Sequence, residues 1–254
     1  MKTAAIAFNT FREAIRDRIL YSLLVFALAM IGASVILSML SVGGESRIIK
    51  DLGLAAIGLV GTLIAVFIGV GLVHKEIERR TLYTIITKPI RRADFVLGKF
   101  LGLALTLAVN VAIMGAGLIL LASSMEARLT WELLLPLALT FVKLLLVTAI
   151  AVLFSTFSTP TLSAIFTLAL VVVGSVAEDL KLFAATFGGS LMQAAVAVLY
   201  LILPNLASLD VGGTVVRGQP VPTAVAWLAV AYGLAYITAL LASAVWIFQY
   251  RDFK

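Results

Sequence analysis

Long apolar runs separated by short polar stretches fill most of the chain. Six of them, at 19–41, 52–73, 100–122, 133–154, 162–177 and 223–248, read as membrane spans, because a helix needs about 20 mainly apolar residues to cross roughly 30 Å of hydrocarbon. A seventh stretch, 183–203, is broken by Gly188-Gly189 and Gln193 and stops at Pro204-Asn205. The first 18 residues follow another rhythm. Phe8, Phe11 and Ile15 share one helical face, and Asn9, Arg12, Glu13, Arg16 and Asp17 lie on the other. That pattern predicts an amphipathic helix in the headgroup plane. A cleaved signal is not expected, since the following apolar run is too long and lacks a small-residue cleavage pattern.

The polar positions set the orientation. With six spans and both termini in the cytoplasm, Lys2, Arg12, Arg16, Arg18, Lys75, Arg79, Arg80, Lys88, Arg91, Arg92, Lys99, Arg251 and Lys254 all fall inside, 13 of the 19 basic residues. A seventh full span would carry Arg251 and Lys254 outside, against the positive-inside rule. The stretch 183–203 therefore reads as a re-entrant or outer-interface helix. Trp131 and Trp227 near outer helix ends, with Trp246 and Tyr250 at an inner end, fit aromatic belts.

Composition strengthens this picture. The 254 residues are 62% apolar and 13% charged, and no single soluble core could hide that much apolar surface. The absence of cysteine excludes a disulfide scaffold, a thiolate zinc site and cysteine catalysis. His74 is the sole histidine, which excludes a His-rich metal cluster or relay. A net charge of +6 on a soluble face would suggest nucleic acid, but here the charge sits at helix ends, so no nucleic-acid partner is expected. There is no glycine-rich loop ending in Lys-Ser or Lys-Thr, no paired-His helix and no serine elbow. The chain is thus not expected to be an enzyme, and any ATP-driven work must use a second polypeptide.

The one substantial polar stretch runs from His74 to Asp94, between the second and third spans. Lys75 to Thr87 is helix-compatible, Lys88-Pro89 ends it, and Asp94 can cap the helix that follows. A short cytoplasmic helix tied to membrane helices at both ends can convert a push from below into helix movement. On charge alone, the stretch also fits a basic juxtamembrane loop attracted to anionic lipid.

The residue string Glu76, Thr81-Leu82, Lys88-Pro89, Arg91-Arg92 and Gly98-Lys99 resembles the coupling region of type-2 ABC exporter permeases, six-span subunits that pair with a separate ATP-binding-cassette ATPase. Leu203-Pro204-Asn205-Leu206 with Asp210 resembles that family's outer segment, and Phe248-Gln249-Tyr250-Arg251-Asp252-Phe253 its closing motif. The three motifs occur in the family's order along the whole chain, nearest in character to the copper-processing group associated with nitrous-oxide reductase maturation. One departure is Arg80, where the family often has glycine before the threonine.

The resemblance implies an all-α integral membrane fold over 1–254: an interfacial helix at 1–18, six transmembrane helices, a coupling helix within 74–94 and an outer or re-entrant segment at 178–222. It implies a permease subunit of an exporter in the cell (plasma or inner) membrane. Its partners would be an ABC ATPase, a second permease in a homodimer or heterodimer, and the lipid bilayer, with no cofactor on this chain and ATP and Mg on the ATPase. The coupling residues would be Glu76, Glu78, Arg79, Thr81, Leu82, Lys88, Pro89 and Arg92. The competing reading is an ion-coupled secondary transporter or channel-like protein, which would call for intramembrane charges.

Lys143 is the charge deep within a span, and Asn110 lies at similar depth in the preceding one. The two are expected either to face each other or line the permease interface, or else to be fold-specifying polar contacts. Gly98-x-x-x-Gly102, Gly58-Leu-Val-Gly61-Thr62 and Gly115-Ala-Gly117 offer small faces for close helix approach.

Overall fold

A computed structural model describes residues 2–39, 44–78, 92–127 and 129–250, apart from the side chains of 72–78, 92, 190, 195, 198, 201, 202 and 250. The described residues form helices and turns, with no strand. In order they are α1 (Lys2–Ile15), α2 (Arg18–Ser38), α3 (Glu45–Glu78), α4 (Arg92–Glu126), α5 (Leu134–Ser155), α6 (Pro160–Ser175), α7 (Ala177–Phe187), α8 (Ser190–Ile202), α9 (Gly212–Val216) and α10 (Thr223–Tyr250). A 3-10 turn at Trp131–Leu133 leads into α5. Local signals set several starts. Asp17 caps α2 by accepting from the Ile19 amide at 2.9 Å, and Pro160 opens α6, where its missing N–H costs nothing.

Helices α2, α3, α4, α10 and the stretch Trp131–Ser155 are long and apolar enough to cross a membrane, and a sixth span exists if α6 and α7, bent by 54°, are taken together. At 16 residues, α6 alone rises only roughly 24 Å. By contrast α3 and α4, with 34 and 35 residues, each extend roughly 50 Å and overshoot the apolar runs that announced them. Of their polar flanks, Ser46 and Lys50 of α3 and Asp94, Lys99 and Glu126 of α4 find partners, described below. One end of the bundle carries α1, the start of α4 and the end of α10; it is called the basic end. The opposite, far end carries the starts of α3 and α5 and the end of α4.

Helix α3 is central. Ile49, Ile57, Val60, Ile64 and Val66 are almost wholly enclosed, whereas α2 turns Val25, Phe26, Ile36 and Leu37 outward. Lipid tails are as apolar as leucine, so close packing rather than hydrophobicity holds such helices together. Leu118 of α4 fills the notch at Gly53, and Leu144 of α5 fills that at Gly61, where a Cβ would stand 2.5 Å from its Cδ1. Gly115 receives Leu137 in the same way, while Gly58 faces open space. Trp131, Trp227 and Trp246 are largely exposed.

Two stretches gain detail. The stretch 183–203 is not one helix. Gly188 ends α7 with its amide on the Ala184 carbonyl at 3.0 Å, the extended Gly189 starts α8, and the pair forms a helical hairpin. Helix α1, for its part, is docked on α4. Its third face, of mostly small residues, carries Thr3, Ile6, Ala7, Thr10 and Ala14, about 110° around the helix from the Phe8–Phe11–Ile15 face. That small face rests on Gly98 and Gly102, where added Cβ atoms would meet Ile6 Cβ at 2.7 Å and the Ala7 carbonyl at 2.5 Å. Thr10 and Ala14 are fully covered as a result, and Phe8 stays exposed with the Arg12 guanidinium 4.6 Å above its ring.

Candidate functional site

The basic end gathers three separate parts of the chain. Helix α3 continues through Lys75, Glu76 and Glu78, so these residues form the last turns of a membrane helix rather than the start of a new one. The correction follows from helical continuity, since nothing between Val73 and Glu78 breaks the α3 pattern. Arg79, Thr81, Leu82, Lys88 and Pro89 lie outside the described residues, as do Arg91 and the closing Arg251-Asp252-Phe253. Arg92 opens α4. Asp94 therefore sits in the first turn of α4 rather than at the cap before it. There its charge favours the positive end of the helix dipole, and its Oδ1 accepts from Thr3 Oγ1 at 3.1 Å. Lys99, only 1% exposed, holds its ammonium 3.9 Å from Glu13 of α1. Phe95 and the buried Phe248 stack at 5.8 Å, tying the start of α4 to the end of α10. The two long core helices α3 and α4 flank the interval 79–91 in the chain, and α4 is bound at its root to α1 and α10.

A second constellation lies near the middle of the bundle. Lys143 donates to Asp210 Oδ2 at 3.0 Å, across 67 residues of sequence. Asn110 instead turns along its own helix, its Nδ2 donating to the Thr106 carbonyl at 2.8 Å. Neither is the other's hydrogen-bond partner, because each found a nearer one. Asn205 is the hub of the segment that follows α8. Its amide N–H donates to the Tyr232 hydroxyl at 2.9 Å, and its Nδ2 donates to Glu178 Oε1 and the Tyr200 hydroxyl, both at 3.0 Å. Its Oδ1 accepts from the Ser208 amide at 3.2 Å. One residue therefore joins α7, α8 and the 3-10 turn at Ala207–Leu209 through its side chain, and α10 through its backbone amide. The next residue, Leu206, is buried and sends its amide to the Gly174 carbonyl at 3.0 Å. That carbonyl is one of the orphans at the end of α6.

At the far end Lys50 of α3 is held by Glu126 of α4 and by Glu132 at 2.5 Å, and Ser46 also donates to Glu126. This cluster binds the starts of α3 and α5 to the end of α4. Periodicity could not reveal it, since its members lie 80 and 82 residues apart. The α1 seat did leave a signal in Gly98-x-x-x-Gly102, but spacing alone does not say which helix will occupy it.

The family model described as ABC-2 family transporter protein matches residues 4–253, nearly the full chain. The chain belongs to the ABC-2 transporter family. No curated protein matched it. This ABC-2 family member is accordingly an ABC permease subunit and a multi-pass membrane protein. The three stretches read from the sequence acquire physical roles within it. The Pro204-Asn205-Leu206 stretch with Asp210 pins the segment between α8 and α10 against the bundle, and Phe248 clamps α10 to α4. The stretch Gly98-Lys99 provides the seat and the charge that receive α1.

Proposed function

We propose that this permease is the membrane half of an exporter that moves substrate across or out of the membrane when a separate ABC ATPase drives it. The reading rests chiefly on the interval 79–91, which carries the coupling-type string and joins α3 to α4, the two longest helices of the core. A push delivered there reaches both core helices at once, and reaches α1 and α10 through the contacts at the root of α4. ATP and Mg belong to the ATPase, and no cofactor is assigned to this chain. A second permease, identical or related, completes the unit, in which closing of the ATPase pair rearranges two membrane halves. Swinging such an equilibrium almost fully takes about 5.5 kcal/mol of differential binding between states. The basic end is the cytoplasmic one in this reading, with both termini there and the protein in the cell membrane. The narrower assignment to the copper-processing group is supported by the sequence resemblance alone.

Helix α1 serves in this scheme as an interfacial helix, its Phe8–Phe11–Ile15 face toward lipid, and the α7–α8 hairpin as the re-entrant outer element. The Lys143–Asp210 pair favours a second reading, an ion-coupled secondary transporter or channel-like protein, because it places a carboxylate among the spans. Purification in mild detergent separates the two. A stoichiometric partner carrying a phosphate-binding loop is expected, and Glu76→Arg with Glu78→Arg should leave insertion intact while weakening that association or its coupling. Unchanged binding and turnover in the double variant would remove the coupling assignment. A pure oligomer of this chain in several detergents would favour the second reading.

A further inference from the structure

The return segment 203–219 lies deep. Four neighbours fix its level independently. Leu206 bonds to Gly174, which is 14 residues above Pro160 and so roughly 21 Å from the basic end of α6. Gly212 sits against Leu54, whose Cδ1 a Cβ would meet at 3.3 Å; Leu54 is roughly 14 Å along α3 from Glu45. Leu209 and Val142 both crowd Gly233, roughly 15 Å along α10 from Thr223. Lys143 itself is roughly 18 Å beyond Trp131. All four estimates put Asp210 near mid-bundle rather than at the far surface.

At that level irregular backbone joins two short helical turns, Ala207–Leu209 and Gly212–Val216, and the segment carries the polar Ser208, Asp210 and Thr214. Irregular backbone and charges persist at membrane depth only where protein encloses them or water reaches them. Protein encloses Lys143, whose side chain is 13% exposed, but not Asp210, whose side chain is 59% exposed. The exposed member of the pair is thus a carboxylate that hydrocarbon cannot solvate.

We propose that Asp210 opens onto a water-filled vestibule that enters from the far end to mid-bundle, with 203–219 as its wall and Lys143 holding that wall in register. The vestibule is the outer part of the route a polar cargo would take, and to that extent it rests on the permease reading above. The carboxylate there presents acceptors to cargo groups that donate hydrogen bonds, such as hydroxyl or ammonium.

The absence of native cysteine makes the test clean. Asp210→Cys and, separately, Thr214→Cys are introduced into the complete transporter in oriented vesicles. Each is exposed to a membrane-impermeant trimethylammonium methanethiosulfonate from the far side. Leu234→Cys, one residue beyond Gly233 and outward on α10, reports hydrocarbon at the same depth. The reactive thiolate forms in water and not in hydrocarbon, so the two segment cysteines should label at least about tenfold faster than Cys at 234. Thr214→Cys keeps the Lys143–Asp210 pair intact and covers the case in which Asp210→Cys fails to fold. Labelling of neither segment cysteine would overturn the vestibule, with a second copy or another protein surface covering Asp210. Labelling only from the basic side, or equally fast labelling at 234, would overturn it as well. Failure of the ATPase to co-purify would instead remove the exporter reading and leave the labelling result standing.

Discussion

Docking of α1 on α4 depends on two missing side chains, and restoring the smaller part of one should loosen it by a calculable amount. A Cβ placed on Gly102 would stand 2.5 Å from the Ala7 carbonyl oxygen and 2.6 Å from Thr10 Cβ. One obstacle is backbone, so no rotamer change relieves the clash, and α1 as a whole must retreat. A retreat of about 0.5–1 Å forfeits a quarter to a half of the dispersion energy along the contact. Overpacking of this kind costs about 1–3 kcal/mol. The Thr3–Asp94 hydrogen bond, at 3.1 Å, would stretch past useful length and lose about 1 kcal/mol more. Gly102→Ala should therefore shift the docking equilibrium by about 2–4 kcal/mol, or roughly 30- to 900-fold. At Gly98 a Cβ meets the Ile6 side chain at 2.7 Å and a carbonyl only at 3.1 Å, so Gly98→Ala should cost less. Trypsin cleavage after Arg12, followed by mass spectrometry in membranes open at the basic end, reads the undocked population. When opening is fast relative to cleavage, the rate follows that population. Unchanged cleavage in Gly102→Ala and also in Gly102→Leu would refute the seat and the reasoning from it.

Two further outcomes follow from the buried charges. Lys50→Met leaves Glu126 without its cation and should destabilise the protein by about 1–3 kcal/mol, a range reduced because Glu132 is 40% exposed. Thermal unfolding in detergent should show Glu126→Gln lowering the midpoint more than Glu132→Gln, and equal shifts would sink the idea that Glu126 is the principal partner. Lys143→Leu and Asp210→Leu should each destabilise alone, yet recover together, with a coupling of about 0.5–3 kcal/mol in a double-mutant cycle. Strict additivity would show that the pair does not hold the return segment.

The division between sequence and tertiary structure is visible in particular residues. Hydropathy in local windows located the long helices, Pro160 marked the start of α6, and the glycine pair at 188–189 marked a break, all without knowledge of what lies alongside. These are properties of a chain segment and its solvent, and bilayer thickness makes them strict. The order of the three motifs along the chain also sufficed to suggest the family that the full-length match shows.

Partnership was not local. Lys143 read as a lone intramembrane charge until the return segment brought Asp210 beside it, and Lys50 gave no sign of its two carboxylates. Helix α1 displayed an apolar face and a polar face in the sequence, but the face that docks is made mostly of small residues, which hydrophobic periodicity registers poorly. Lipid and protein interior are equally apolar, so the pattern that places a helix in the membrane cannot say which side of it meets another helix. Small-residue fit and the level at which helices abut decide that, and both exist only once the chain has folded.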